Sequence, residues 1–422
     1  MEAVKKLFTP NMRILVATVV GLGAGYLSYP EIDIAAQVIS DVFINLLKLV
    51  SLPIIFLSIV STASSMENLT EIKVLGKMVI RYTLLTTVIA AAVALFLFVV
   101  IDPVQSIQAA SAESEAVTQQ GAYVNYLLNS IPSNFVKPFS EHQVISVLFL
   151  AILLSFAMLS LPEPQRKVLG NLFTSLYAAL MKITSWIIQL MPLAIFAFLV
   201  LFFRDFRNGL EMKSLALYLA CVVGANLIQG ALVLPAFLKL NGVSPIKMIR
   251  GMMPALSVAF FTKSSSGALP MAIRCAQENV KMAPKVANFT LPLCTTINMN
   301  GCAAFILITV LYVSMSHGIA FSPFEMVLWI FIATLAAVGN AGVPMGCYFL
   351  ASAFLAAMDV PMVIMGIILP FYSMIDMLES ALNVWSDSCV AAVVDKKVAH
   401  QEALGHAIPD VPPVSTTTTR CC

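Results

Sequence analysis

The chain has 422 residues, 59% of them hydrophobic and only 11% charged, where an ordinary soluble domain is about 25% charged. That balance excludes a soluble globular protein, and a formal net charge of +2 with no basic array or aromatic platform offers nothing to a nucleic acid. Runs of about 20 apolar residues without period-2 alternation exclude a barrel and point to an all-α polytopic membrane protein.

The apolar runs fall at about 12–29, 41–62, 78–101, 143–161, 174–203 and 214–237, then 287–314 and 361–395. The first follows Lys5 and Lys6, has Arg13 at its start and reads as a retained span, being long and without a small-residue cleavage site. The 102–142 connection, with Glu113, Glu115, Gln119 and Gln120, reads as an extracellular loop with little regular structure. Two further apolar stretches have a different character. The stretch 245–274 is interrupted by Thr262-Lys263-Ser264-Ser265-Ser266-Gly267 and Pro270, and 323–357 is interrupted by Gly339 to Gly346. Backbone groups freed by Gly and Pro cannot face lipid, so both stretches predict re-entrant helical hairpins that dip in and return to one side.

Charge placement agrees with this reading. With a cytoplasmic N-terminus, the inside loops carry Lys73 and Lys77, Arg166 and Lys167, Lys239, Lys247 and Arg250, then Arg274, Lys281 and Lys285, and finally Lys396 and Lys397. The outside loops near 30–40, 315–325 and 357–361 carry no Lys or Arg, as the positive-inside rule requires. The misfit is 204–213, with Arg204, Arg207 and Lys213. The tail 400–422, with three prolines and four threonines, has no packing pattern and reads as a disordered cytoplasmic tail. Two hairpin-plus-helix units in succession suggest inverted repeats.

The most informative stretch is 376–387. At about 100° per residue, Asp376, Glu379, Ser380, Asn383 and Asp387 share one helical stripe. A solvated helix face would look the same, but Met377, Leu378, Leu382 and Val384 opposite and both flanks are apolar. Carboxylates at membrane depth are costly, so the stripe should line a polar cavity.

Polar clusters recur at depth in the serine tip, in Thr296-Ile297-Asn298-Met299-Asn300-Gly301, in the Gly339–Gly346 tip and in this stripe. Free backbone N–H groups can hold a carboxylate, while free carbonyls with Asp and Asn oxygens can hold Na⁺. No phosphate-binding G-x-x-x-x-G-K-[ST] motif is present, so the expected driving force is an ion gradient and the chain is not read as an enzyme. Asp376 and Asp387 lie on one helix, three turns apart, and cannot face each other as a protease dyad. An ion channel is the rival class, although broken hairpins suit a gated, substrate-sized site better than a pore. Tyr82, Trp385 and the methionines read as packing, and Cys221, Cys294, Cys302, Cys347 and Cys389 lie in apolar stretches as small hydrophobes.

These residues also carry a family resemblance. The serine tip through Pro270 resembles the first hairpin of the glutamate transporter family of dicarboxylate and amino acid:cation symporters. Thr296 to Gly301 is similar to its T-I-N-M-D-G, Gly342-Val343-Pro344 to its second-hairpin G-[IV]-P, Asn383 with Asp387 to its N-x-x-x-D, and Tyr82 to Thr87 to its Y-x-x-x-T-T. The resemblance implies eight transmembrane helices plus two re-entrant hairpins, in a homotrimer working by an elevator-type movement. In those terms 1–237 is mainly scaffold and trimerisation part, with span 3 packing on the transport part. Then follow the first hairpin 245–275, the seventh span 287–314, the second hairpin or gate 323–357 and the eighth span 361–397.

By position, the resemblance implies a substrate site of Ser264, Ser265, Ser266, Cys302, Val343, Pro344, Asp376, Glu379, Ser380 and Asn383. Ser265 and Asn383 would hold the α-carboxylate, and Asp376 helped by Ser380 the α-ammonium. One Na⁺ would sit on Asn298, Asn383 and Asp387, and a second on Thr296, Met299 and carbonyls near Ala337, Val338 and Asn340. A third would use Thr86, Thr87, Asn298 and Asn300. Three departures bear on function. Asn300 replaces a carboxylate, which weakens the third site. Glu379 replaces the arginine that grips acidic side chains, and Cys302 replaces a threonine. An acidic substrate against Glu379 meets like charge in a dry site. A small neutral amino acid is therefore expected first and a basic one second, with Lys263 able to neutralise Glu379 or Asp376. A multi-pass location in a cell inner membrane completes the expectation.

Overall fold

A computed structural model describes residues 10–27, 29–64, 75–104, 132–141, 144–207, 212–340, 342 and 345–403, and among these every regular element is a helix. Val343, Pro344, most of the 102–142 connection and the tail beyond Ala403 lie outside the described residues. The eight apolar runs fall on helices. These are α1 (Pro10–Leu27), α2 (Pro30–Ser64), α3 (Lys77–Ile101), α4 (Val144–Leu159), α5 (Glu163–Gln189), α6 (Met191–Arg207) and α7 (Met212–Ile228). A π-helical turn, Gln229–Val233, carries α7 into α8 (Leu234–Leu240). The run 174–203 is not one straight span: it divides between α5 and α6, bent by 48°, where Pro192 in the first turn of α6 cannot continue a helical ladder.

After α8 come α9 (Pro245–Thr262) and α10 (Ser265–Glu278), then α11 (Pro284–Ile297) and α12 (Asn300–Ser316). The last three are α13 (Pro323–Val338), α14 (Gly346–Ala357) and α15 (Val363–Ala403). Four stretches among the described residues are long and apolar enough to cross a membrane, and the bent α5–α6 pair makes a fifth.

Helices α9 and α10 lie along each other. The chain reverses at Lys263 in the left-handed region, φ 56°, and the Ser264 hydroxyl then caps α10 by accepting from Gly267 N–H at 3.0 Å. Both roots of this pair meet α15 near its C-terminal end. Asp395 accepts from Ala283 N–H at 3.0 Å, and the Lys396 ammonium donates to the Gly242 carbonyl. The pair thus starts and returns at one end of the molecule. Helices α13 and α14 are also antiparallel, with Trp329 edge-on to Phe354 at 5.3 Å, but each packs mainly on α12. Ser322 and Glu325 close a capping box at the start of α13.

The seventh apolar run is unwound in its middle. Asn298 and Met299 have φ −105° and ψ near 70°, which separates α11 from α12. The N–H of Gly301, which a continuous helix would give to the Ile297 carbonyl, goes instead to Asn383 Oδ1 at 2.9 Å.

Helices α1, α2, α4, α5 and α6 pack chiefly with one another. Helix α7, which chain order groups with them, packs on α3, α12 and α15. Its π-turn carbonyl at Gly230 accepts from the Trp385 indole at 3.0 Å. Trp385 is a packing residue with one polar contact, and Tyr82 packs edge-on to Phe237 at 5.7 Å. Helix α15 is buried on most sides around the stripe: Leu382, Val384 and Trp385 join the apolar core formed by α8, α9 and α10. The stripe is therefore enclosed by protein.

Candidate functional site

Asp376, Glu379, Ser380, Asn383 and Asp387 are all buried on α15, and the polar residues of α3, α11, α12 and the two helix-pair tips converge on them. The convergence follows from three interruptions. The reversal at Lys263, the unwound pair Asn298–Met299 and the end of α13 at Gly339 each break a helix beside the stripe.

At the deeper end, Asp387 Oδ1 accepts from Asn298 Nδ2 at 3.0 Å and Oδ2 from Thr295 Oγ1 at 3.3 Å. Asn298 Oδ1 accepts from Thr86 Oγ1 at 3.1 Å, and Asn300 Oδ1 from Thr87 Oγ1 at 2.9 Å. The amides of Asn298 and Asn300 both donate to Ser386 Oγ. Thr86, Thr87, Asn298, Asn300 and Asp387 thus form one hydrogen-bonded cluster, which joins residues expected at two separate Na⁺ sites. Thr295 and Ser386 join it without having been singled out. Both are small hydroxyl residues beside a recognised position, and nothing in their spacing marked them.

Thr296 is half-buried at the end of α11, where its hydroxyl donates to the Leu293 carbonyl at 2.7 Å. Met299 is fully buried, its sulfur 4.0 Å from Asn340 Nδ2. Ala337 is buried and Val338 half-buried at the end of α13, where the Ala337 carbonyl accepts from Asn340 N–H at 3.1 Å.

Towards the tips, Asp376 Oδ2 accepts from Met345 N–H at 3.3 Å, and Oδ1 from the Tyr372 hydroxyl at 3.5 Å. The same hydroxyl lies 3.3 Å from Glu379 Oε2. Tyr372 lies one turn before Asp376 on the stripe, so the helical period did mark it, but a large aromatic reads first as packing. The two tips touch: Ser264 Oγ donates to the Gly342 carbonyl at 3.4 Å. Gly342 has φ +67°, and a side-chain carbon there would stand 2.8 Å from Ser266 Oγ. Ser265 is buried at the start of α10.

The Lys263 ammonium donates to Ser373 Oγ, and it forms no ion pair with Asp376 or Glu379. Around Glu379 stand Cys302 and Cys347, both buried, and a close approach of α12 in which Gly301 leaves room for the Glu379 backbone. Beyond it the rings of Phe305 and Tyr348 close on Tyr372, with centroids 4.7 and 5.2 Å away. Glu379 Oε1, Asn340 Oδ1 and, beside Gly301, Asn226 Oδ1 have no hydrogen-bond partner among the described residues. A cavity of about 540 Å³ lies elsewhere, between α2, α6 and the α14–α15 corner, and shares no residue with this cluster.

The arrangement offers buried carboxylates and amide and hydroxyl oxygens suited to a hard cation. Comparison with known proteins gives the same direction. A family model described as the sodium:dicarboxylate symporter family matches residues 11–397. A putative sodium-dependent excitatory amino acid transporter, glt-4, of Caenorhabditis elegans is 28% identical, covering 93% of this chain and 90% of its own. The neutral amino acid transporter B(0) of Oryctolagus cuniculus is 25% identical, covering 91% and 78%. A C4-dicarboxylate transport protein of Rhizobium leguminosarum is 26% identical, covering 85% and 82%.

Proposed function

The chain belongs to the sodium:dicarboxylate symporter family, and from that premise we propose that it couples a Na⁺ gradient to uptake of a small neutral amino acid. The observation that carries the substrate class is Glu379. It is buried beside Asp376, it shares the Tyr372 hydroxyl with it, and the nearby Lys263 is held by Ser373. An acidic side chain would add a third carboxylate to this buried site, where Lys263, the cation that acts on Asp376, is held by Ser373. The aromatic closure of Phe305, Tyr348 and Tyr372 favours a short side chain over a long basic one.

In this reading Asp376 holds the α-ammonium with Ser380 beside it. Ser265 and Asn383 hold the α-carboxylate, with Ser264, Ser266, Val343 and Pro344 closing over it. One Na⁺ binds at Asp387 with Asn298 and Asn383. A second binds at Met299 with main-chain oxygens of Thr296, Ala337, Val338 and Asn340. Two Na⁺ rather than three follow from the amide at Asn300, since a neutral oxygen weakens a hard-cation site. Helices α9–α10 and α13–α14 act as re-entrant hairpins, the second as gate. The protein is a multi-pass membrane transporter; a homotrimer in the cell inner membrane with cytoplasmic termini and an elevator-type movement completes the proposal.

The test is uptake into proteoliposomes under an inward Na⁺ gradient, with labelled serine, alanine, arginine and glutamate. Uptake of serine, lost in Asp376→Asn, is expected. Arginine uptake lost in Glu379→Gln would instead assign Glu379 to a cationic side chain. Glutamate uptake would overturn the argument from Glu379.

A further inference from the structure

From Met212 to Gln277 the chain holds no Asp or Glu, but it holds Lys213, Lys239, Lys247, Arg250, Lys263 and Arg274. Three of these cations meet at one corner. The turn 241–244 joins α8 to α9 through Gly242 at φ 72°, and Val243 N–H donates back to the Leu238 carbonyl at 2.9 Å. Lys239 stands in the last turn of α8, Lys247 and Arg250 at the start of α9, and all three are exposed. Helix α15 brings a fourth cation, since the Lys396 ammonium donates to the Gly242 carbonyl. The acids nearby are engaged elsewhere: Asp395 accepts from Ala283 N–H at the other root of the pair, and Glu278 binds Arg274. Among the described residues no carboxylate pairs with Lys239, Lys247 or Arg250.

The corner lies where spans end. The stretches Met212–Leu240 and Val363–Gln401 are each long and apolar enough to cross a membrane, and both finish beside it. Large apolar side chains among the cations face outwards: Leu240 is 87% and Ile246 62% exposed, and Ile249 and Met253 continue the exposed face of α9. At about 100° per residue Ile246, Arg250 and Met253 share one stripe, so the guanidinium rises from the same face as the aliphatic chains. Met248, Met252 and Ala255, on the other side of α9, join the buried core. Cations beside an exposed aliphatic strip match an amphiphile with an anionic head. A zwitterionic head brings an ammonium of its own, for which the corner offers no carboxylate.

We propose that Lys239, Lys247, Arg250 and Lys396 form a headgroup site for an anionic phospholipid, whose acyl chains lie on Leu240, Ile246, Ile249 and Met253. The lipid phosphate bridges the α8–α9 corner to the end of α15, at the root of the α9–α10 pair and away from its serine tip. The inference rests on the membrane location of the chain and is independent of which amino acid it carries.

The experiment is lipid binding to the purified full-length protein in a neutral detergent, read by native mass spectrometry, with dioleoylphosphatidylglycerol and dioleoylphosphatidylcholine as probes. Phosphatidylglycerol should bind about tenfold more tightly than phosphatidylcholine, and Lys247→Gln with Arg250→Gln should remove most of that difference. Arg166→Gln with Lys167→Gln takes away the same charge elsewhere and should leave the difference in place. Leu240→Gln with Ile246→Gln keeps the charge but removes apolar contact, and should weaken phosphatidylglycerol by about tenfold. Glycerol 3-phosphate, an anionic head without chains, should not displace the lipid at constant ionic strength. Displacement would overturn the lipid site in favour of a soluble phosphate ligand. Equal binding of the two lipids, or equal losses in the two charge variants, would overturn it in favour of general attraction between a basic surface and an anionic membrane. If a variant fails to fold, the wild-type comparison of the two lipids and glycerol 3-phosphate still decides.

Discussion

Thr87 donates its hydroxyl to Asn300 Oδ1 at 2.9 Å, so the oxygen that stands where the related motif has a carboxylate is already engaged. The same amide donates to Ser386, which brings hydrogens where a cation site would need oxygens. Asn300→Asp should reverse this. It restores a charged oxygen beside Thr86, Thr87 and Asn298, all within one hydrogen-bonded cluster. Uptake measured against Na⁺ concentration should become steeper, and half-saturation should fall by roughly tenfold, because ligand charge tunes hard-cation affinity over decades. An unchanged Na⁺ curve would remove this cluster from the list of ion sites.

Asp387 is held by two neutral donors, Asn298 and Thr295, and among the described residues no Lys or Arg pairs with it. A buried carboxylate in that position is stabilised by whatever cation it recruits. Na⁺ should therefore raise the melting temperature of the purified protein relative to choline at equal ionic strength. At a Na⁺ concentration of about 100 times its dissociation constant, the stabilisation is roughly 2.7 kcal/mol. Asp387→Asn should abolish most of this dependence while folding as well as wild type does in choline. A variant that keeps the full Na⁺ response would place the ion elsewhere.

How much of this was legible follows the physics of each signal. The stripe from Asp376 to Asp387 could be read because the helical period and the cost of burying charge both act within a dozen residues. The serine tip and the Gly339–Gly346 link could be read because Gly and Pro announce a break. The unwound pair Asn298–Met299 contains neither, and is held open by contacts from α3 and α15 that are distant in sequence. The same holds for Lys263, whose partner is Ser373 rather than a carboxylate, and for α7, whose neighbours are α3, α12 and α15. Pairings of this kind are set by tertiary packing, which leaves no periodic trace. The apolar runs were legible, but the bend between α5 and α6 was not.

The π-turn Gln229–Val233 leaves the Gly230 carbonyl free of the regular helical ladder, and the Trp385 indole takes it at 3.0 Å. Trp385→Phe keeps most of the ring packing on the α8–α10 core and removes the donor. An acceptor left unpaired in a dry interior costs about 1–3 kcal/mol, so the variant should melt at a lower temperature in detergent. Substrate preference should not move, because the indole bonds the far side of α15 from Asp376 and Glu379. A shift in preference would mean that the π-turn also shapes the site.

Gly342 meets Ser266 where the two tips touch. Its φ of +67° is strained for any residue with a side chain. A side-chain carbon there would lie 2.8 Å from Ser266 Oγ and 3.2 Å from the Thr295 carbonyl. Gly342→Ala should therefore hold the tips apart, since the backbone contact to Thr295 cannot yield as a side chain can. If closure of the tips is needed to carry substrate, uptake should fall at least tenfold, while the Na⁺-dependent melting shift, which arises at Asp387, persists. Adding Ser266→Gly removes the nearest obstacle and leaves the positive φ and the Thr295 contact. The double variant should recover part of the uptake, and full recovery would assign the whole effect to the Ser266 contact. Unimpaired uptake in Gly342→Ala alone would show that transport proceeds without this contact between the tips.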